Sequence, residues 1–427
     1  MKIGIANSII TPENPIWMTG FAARTEPSDG KYNDLEASVV VFESGDTRVG
    51  IMALDLVGID EFFLVPIREK AAELGIEPEA MLVNCSHTHC GPAVRKVRGS
   101  IRKFDEEYLQ WLQETLDGLL EEAVVDLQDA ELDYSIAPCT LGINRRRKPE
   151  DDEPAGMLPT PEKPIDMDVP VLRVLSPDRE VRAVLFSYAC HPTTMGGQKL
   201  GTDFPGPARD VIRSDYETAV PIFLQGCGGD VKPRNIANRR FASGPLETVY
   251  EIGHELGRAV QAALCGTPEP LGDSLAASSA MADLPARDPM DEDEMRALEN
   301  GNKWEKKWAK AARKTIEEHG ELATVLPVEV QALNIGGLII CAMGGEICVG
   351  NGLELKQQFP DTKLWTLGYS NLLRCYVASR GEHADGGYEV ERSFLYSWTP
   401  QPRPLGLKPE SVDVLIDTAV EQIQAVR

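Results

Sequence analysis

His87 and His89 stand one residue apart at the end of the apolar run Met81-Leu82-Val83-Asn84-Cys85, just before a Gly91-Pro92 turn. In extended backbone, residues i and i+2 face the same side. The pair is therefore expected to look into one cleft at a strand end, where ligands gather in α/β proteins. Imidazole is the commonest metal ligand among side chains, and the chain has only 6 histidines, so two in one turn concentrate the signal. Two surface histidines on a turn are the plain alternative. Other polar residues follow apolar runs in the same way: His191 after Val181 to Tyr188, Glu346 after Leu338 to Met343, with Tyr376 and Tyr388 further on. Nitrogen and oxygen ligands from three or four separate strands, with one position left for water, are what a catalytic zinc needs.

The elements that must position these residues alternate strand and helix, which argues for an α/β fold with mixed sheets flanked by helices, in one large domain. Leu35 to Glu43, Arg48 to Asp55 and Met81 to Ser86 read as strands, and Glu61 to Leu74 as an amphipathic helix closed by Gly75. Asp55 ends its strand either as a site carboxylate or as a polar cap. Asp105 to Ala123 reads as a long helix. Val169 to Leu175 pairs with Val181 to Tyr188, and Val220 to Gln225 runs into the loop Gly226-Cys227-Gly228-Gly229-Asp230. That loop allows close backbone approach to a ligand and can aim amides at an anion, without the spacing of a P-loop. Val328 to Ile335 and Leu338 to Met343 form a hairpin around Gly336-Gly337. Leu364 to Leu367 reads as a further strand and Pro409 to Val426 as a closing helix. Residues 283–322 are highly charged and read as a helical insertion, a peripheral cap carrying Trp304 and Trp308. Residues 149–164, after the four cations Arg145 to Lys148, form a Pro- and acid-rich loop, a lid or a surface insertion. No internal repeat stands out in the residue pattern.

Length and charge narrow the classes. The chain has 427 residues and a formal net charge of −24, which argues against nucleic acid and against an anionic membrane surface. No stretch approaches the roughly 20 apolar residues of a membrane span, and no leader-like segment opens the sequence. The 9 cysteines are scattered, without a Cys-x-x-Cys pair, which fits a reduced, cytoplasmic protein better than a disulfide-built one. The pattern leaves an oligomer open.

The His-x-His spacing by itself serves several metal enzymes. Metallo-β-lactamases want Asp-His where Cys90-Gly91 stands, and barrel amidohydrolases want a lysine ahead of the next histidine, whereas His191 precedes Lys232. As an ordered series the motifs resemble the catalytic domain of the neutral/alkaline, non-lysosomal ceramidase family. His87-Thr88-His89-Cys90-Gly91-Pro92 is similar to its G-T-H-T-H-[SC]-G-P signature, Asn144-Arg145 to its N-R motif, and His191-Pro192-Thr193-Thr194-Met195 to its H-x-[TV]-S-M motif. Gly229-Asp230-Val231 with Pro233 is similar to its G-D-V-S-P-N, Gly345-Glu346 to its G-E-F, and Gly368 to Tyr376 followed by Tyr388-Glu389 to the segment with its two active-site tyrosines.

The resemblance implies a zinc held by His87, His191, Glu346 and Tyr376, with His89 facing substrate. It also implies Arg145 and Tyr388 at the oxyanion, and zinc-activated water cleaving an amide, or an ester or lactone. Where the family keeps a serine and an asparagine this chain has Lys232 and Arg234. With Arg145 these form a cationic pocket suited to a small anionic substrate rather than ceramide. Pairing of Lys232 and Arg234 with Asp203 or Asp230 is the structural alternative. The family's secreted or membrane-displayed ceramide-cleaving members carry a C-terminal immunoglobulin-like domain, which is not expected here. A catalytically silent metal- or ligand-binding homologue and a true N-acylsphingosine amidohydrolase are the competing readings.

Overall fold

The computed structural model describes residues 1–95, 104–148, 156–396 and 402–427. Its strands and helices repeat one plan three times. In the first unit, β1 (Lys2–Ile9), β2 (Glu36–Ser44) and β3 (Thr47–Leu54) run antiparallel in order, and β4 (Met81–Cys85) adds parallel to β3. A parallel addition needs a crossover, supplied by helix α1 (Glu61–Glu73). Asp60 caps α1 and Gly75, at φ 78°, ends it. Helix α2 (Glu106–Val125) then leads out of the unit.

The second unit is built alike. Strands β5 (Glu131–Pro138), β6 (Asp168–Leu175) and β7 (Val181–Tyr188) are antiparallel. Helix α3 (Pro205–Asp215) crosses over to parallel β8 (Val220–Gln225), and α4 (Leu246–Cys265) leaves. The third has β9 (Leu275–Pro285), β10 (Val325–Ile335) and β11 (Leu338–Met343), with crossover α7 (Val349–Gln358), parallel β12 (Lys363–Leu367) and the last helix α8 (Ser411–Val426). Helices α5 (Glu292–Asn300) and α6 (Lys303–His319) lie between β9 and β10. The charged stretch expected to be helical from residue 283 thus begins inside a strand. The eleven residues of β9 are mostly Ala and Ser, too small to announce themselves by alternation.

Alternation within the strands explains how the units assemble. One face of each sheet turns to a shared core: Val39, Leu54 and Val83 from the first, Leu172, Leu185 and Leu224 from the second, Leu333, Ile340 and Leu367 from the third. The opposite faces are covered by helices. Val171, Phe186 and Phe223 pack with Ile212 of α3 and Leu256 and Val260 of α4, while Val330 and Cys341 pack with Leu415 and Ile423 of α8. Strands buried on both faces read as continuous apolar runs, and each such Leu, Ile or Phe withdrawn from water contributes about 1.5–3 kcal/mol.

The three parallel strands meet at their carboxyl ends. Isolated bridges join Asn84 to Ser370 and Gly226 to Leu367. The Asn84 side chain, wholly buried, accepts from the Gln225 amide at 2.7 Å and donates to the Gly368 carbonyl at 2.9 Å and Ser370 Oγ at 3.1 Å. One side chain therefore staples β4, β8 and β12 together directly beneath the expected site.

Candidate metal centre

The repeat places the site residues. His191 and Glu346 each lie three residues past the end of the third strand of their unit, β7 and β11. The residue in that place after β3 is Val57, and its carbonyl accepts from His87 Nδ1 at 2.6 Å. His87 lies two residues past β4, and Tyr369 two past β12. Both adopt positive φ, 63° and 53°. The expectation that His87 and His89 share a face because the strand continues is thus wrong in its reason: the strand stops at Cys85 and the left-handed turn at His87, strained for a non-glycine residue, folds the pair together. Their ring centroids are 4.9 Å apart.

The four residues that the resemblance assigns to a metal converge. His191 Nε2 lies 3.1 Å from Glu346 Oε2 and 3.2 Å from the Tyr376 hydroxyl, and His87 Nε2 lies 3.3 Å from the same Glu346 oxygen. His191 Nδ1 donates to the Gly228 carbonyl at 2.7 Å. With Nδ1 committed as donor on both His87 and His191, each Nε2 presents a lone pair to the cluster. His89 Nε2 is 3.1 Å from His87 Nε2, and His87, His89 and His191 also bring ligand atoms within 4.8 Å of one another. His89 differs in one respect: its Nδ1 is buried with no hydrogen-bond partner. Gly20, at φ 92°, passes so close that a Cβ there would meet the His89 ring at 2.5 Å. Arg24 fixes the backbone behind it, donating to the His89 carbonyl at 2.7 Å.

Burial and mutual contact set the charge of the cluster. Burial lowers His191 to about 4, with Arg145 adding to the effect, and burial pushes His89 well down too, helped by His87 and His191. Burial alone would raise the Glu346 carboxyl, but His87 and His191 outweigh it and hold it well below its ordinary value. Neutral imidazoles beside an ionised carboxylate are a ligand set.

Arg145 stands behind Tyr376. Its Nε donates to Glu389 at 2.8 Å and its Nη2 to the Tyr376 hydroxyl at 3.3 Å, and its guanidinium lies 5.7 and 5.8 Å from the Tyr376 and Tyr388 ring centres. Glu389 also takes Arg146 Nη1 at 2.5 Å, and Arg146 reaches Glu382 at 3.2 Å. Sequence reasoning quoted Glu389 without giving it a role; its distance of 244 residues from Arg145 leaves no local signal for the pairing. Tyr369, 4.4 Å from the His87 ring, was missed likewise.

The three expected pocket cations separate. Lys232 sits half-buried beside the cluster, its Nζ 5.1 Å from the Phe241 ring centre. Burial lowers it to about 8, with Arg145 contributing, and its charge acts on His89 and Cys190. No carboxylate of the described residues pairs with it. Asp203 is occupied by the amides of Thr194, Met195 and Phe204 at 2.8–3.0 Å, and Asp230 by Asn144 and the Val349 amide. Arg234, in contrast, leaves the site: β-pairing ends at Pro233 and Arg234 turns outward to the Thr140 carbonyl at 2.8 Å and Glu255 at 3.2 Å. Arg234 therefore drops out of the expected three-cation pocket. Asp55 is a structural group, buried against Arg209 at 2.6 Å. The 226–230 loop approaches its neighbours rather than an open cradle: a Cβ at Gly229 would stand 2.7 Å from the Glu346 carbonyl. Of the 149–164 loop, residues 149–155 lie outside the described residues, and Gly156–Met157 pairs with Arg146–Arg147.

No family model matches the chain, and no curated protein sequence matches it. Solved structures do. Neutral ceramidase from Pseudomonas aeruginosa is similar over 100% of this chain and 75% of its own, with TM-score 0.75 and 19% identity. A ceramidase complexed with C2 is similar over the same shares, with TM-score 0.75 and 16% identity. The chain thus has a neutral ceramidase-like fold. No helix of the described residues is long and apolar enough to cross a membrane.

Proposed function

We propose that the protein is a zinc-dependent hydrolase that cleaves an amide, or an ester or lactone, in a small anionic substrate. One observation carries the reading. In a tetrahedral site with ligands at 2.0–2.1 Å, ligand atoms stand about 3.3–3.4 Å from each other, and the donor atoms of His87, His191, Glu346 and Tyr376 already lie 3.1–3.3 Å apart along the three measured edges. Two imidazoles oriented by carbonyls, one carboxylate and one phenol suit zinc in chemistry as well as spacing. His89 has an edge of the same length but lacks an orienting partner, so it is assigned to substrate. A bound zinc supplies a polarised scissile carbonyl and water of lowered pKa.

The chain's own residues do the rest. Arg145 keeps its charge because Tyr376 and Glu389 outweigh the cost of its burial. Held by Glu389, it faces the position of a developing oxyanion together with the Tyr388 hydroxyl, and a pre-placed donor of that kind is worth about 3–4 kcal/mol. Lys232, paired with no carboxylate among the described residues, offers a charge to an anionic group next to the scissile bond.

Metal analysis of purified protein tests the reading. One zinc per chain is expected, lost in His87→Ala and Glu346→Ala, together with hydrolysis of anionic amides. Lys232→Ser is expected to weaken that hydrolysis. A protein that takes up no zinc, while its fold and ligand binding survive both alanine substitutions, would overturn the proposal in favour of a binding protein.

A further inference from the structure

Each of the three units inserts a long excursion between its first and second strand, at residues 10–35, 139–167 and 286–324. The first excursion carries Arg24, which holds the His89 carbonyl. The second carries Arg145, which reaches Tyr376. The third contains α5 and α6, and by position in the repeat it corresponds to the two that serve the site. Ring contacts complete the correspondence. The Trp304 ring lies 5.4 Å from that of Tyr396, Tyr396 lies 6.2 Å from Tyr388, and Tyr388 lies 5.4 Å from Tyr376. Exposure rises along this row from 8% at Tyr376 to 38% at Tyr396, as on a wall leading from a buried centre to solvent.

Trp304 is not needed to anchor its helix. Trp308, one turn later, is wholly buried and packs with Ala309 and Ala312 against the core under β10 and β11. Trp304 stays part-exposed, with the ammonium groups of Lys303 and Lys307 at 5.1 and 5.5 Å from its ring centre. The row therefore ends at a polar rim.

We infer that α6 is the third wall of the substrate cleft and that Tyr388, Tyr396 and Trp304 form a subsite for an aryl group on the acyl side of the scissile bond. The inference rests on the metal-hydrolase reading and names its substrate class as aryl-acyl amides or esters. Aromatic faces and edges favour a further ring over an alkyl chain of similar bulk.

The test uses hydroxamates, which grip zinc without being turned over, so binding is read independently of catalysis. Dissociation constants of acetohydroxamate, decanohydroxamate and phenylpentanohydroxamate are measured by calorimetry on zinc-loaded wild type, Trp304→Ala, Trp304→Phe and Tyr396→Ala. Phenylpentanohydroxamate is expected to bind about tenfold more tightly than decanohydroxamate, its alkyl counterpart of similar bulk, to wild type. That preference should fall at least threefold, by order of magnitude, in Trp304→Ala and in Tyr396→Ala, less in Trp304→Phe, with acetohydroxamate unchanged in all. An equal preference in every variant, or none in wild type, overturns the subsite alone. Failure of acetohydroxamate to bind wild type removes the metal reading and the subsite with it. Trp304→Phe keeps a ring in place should Trp304→Ala fail to fold.

Discussion

The Tyr376 side of the cleft and its Lys232 side treat buried charge in opposite ways. Behind Tyr376, Arg145 and Arg146 share Glu389, at 2.8 and 2.5 Å, and Arg146 also reaches Glu382 and the Gly386 carbonyl. Each cation there has a carboxylate. Around Lys232, the nearby acid Asp203 is spent on backbone amides and reaches the lysine only through its field, His89 Nδ1 has no partner, and among the described residues no carboxylate pairs with the lysine, which lies over the Phe241 face. Pairing fixes geometry, which suits a group that must stay aimed at one oxygen. An unanswered charge costs stability and suits a group whose partner arrives with the substrate.

The largest effect expected from this contrast is at Glu389. Replacing it with alanine leaves two guanidiniums buried with their shared carboxylate gone, a loss of about 3–5 kcal/mol, read as a lower denaturation midpoint. The pH dependence has a definite sign. Burial would raise the Glu389 carboxyl, but Arg145 and Arg146 outweigh it and depress it. Its contribution is therefore complete above the unfolded glutamate value of about 4.3 and is lost as pH falls through the lower folded value. Wild type and Glu389→Ala should converge in acid; a constant gap would mean the carboxylate charge is not what holds the wall.

Lys232 should behave in reverse. Its folded value of about 8 lies below its ordinary 10.5, so the unfolded chain binds more protons between those limits and stability climbs with pH across that window. Lys232→Met should gain about 3 kcal/mol at pH 7 and lose the climb, while losing preference for anionic substrates. A variant no more stable than wild type would show that the lysine has a partner after all.

Much of the site's placement was legible in the sequence, while the pairing behind it was not, for physical reasons. The strand ends at Cys85, Tyr188 and Met343 were marked by apolar runs, so His87, His191 and Glu346 stood out as polar residues just beyond them. The positive φ at His87 left no trace, because only glycine or asparagine advertises a left-handed turn. The threefold plan was invisible since the units share strand order and crossover, while the residues after the corresponding strands are Val57, His191 and Glu346. Small side chains hid β9. Trp304 looked peripheral because its partners, Tyr396 and Tyr388, lie in a distant stretch of chain, and ring-to-ring contact across 92 residues has no period to read.

The smallest expected effect concerns Arg234, and it sharpens the assignment of the anion site. From sequence, Arg234 joins Lys232 and Arg145 in one cationic pocket. The β-pairing that carries Lys232 ends at Pro233. Arg234 then spends its charge on Glu255, with 47% and 33% of the two side chains exposed. A pair so open to water contributes about 0.5 kcal/mol or less. Arg234→Ala should therefore leave the midpoint almost unmoved, keep the climb in stability above pH 8 that belongs to Lys232, and keep the preference for anionic substrates. If the substitution instead weakened anionic substrates as much as Lys232→Met does, recognition would come from the summed field of the loop rather than from one buried ammonium. The wall at Lys232 would then have to be redrawn to include its outer surface.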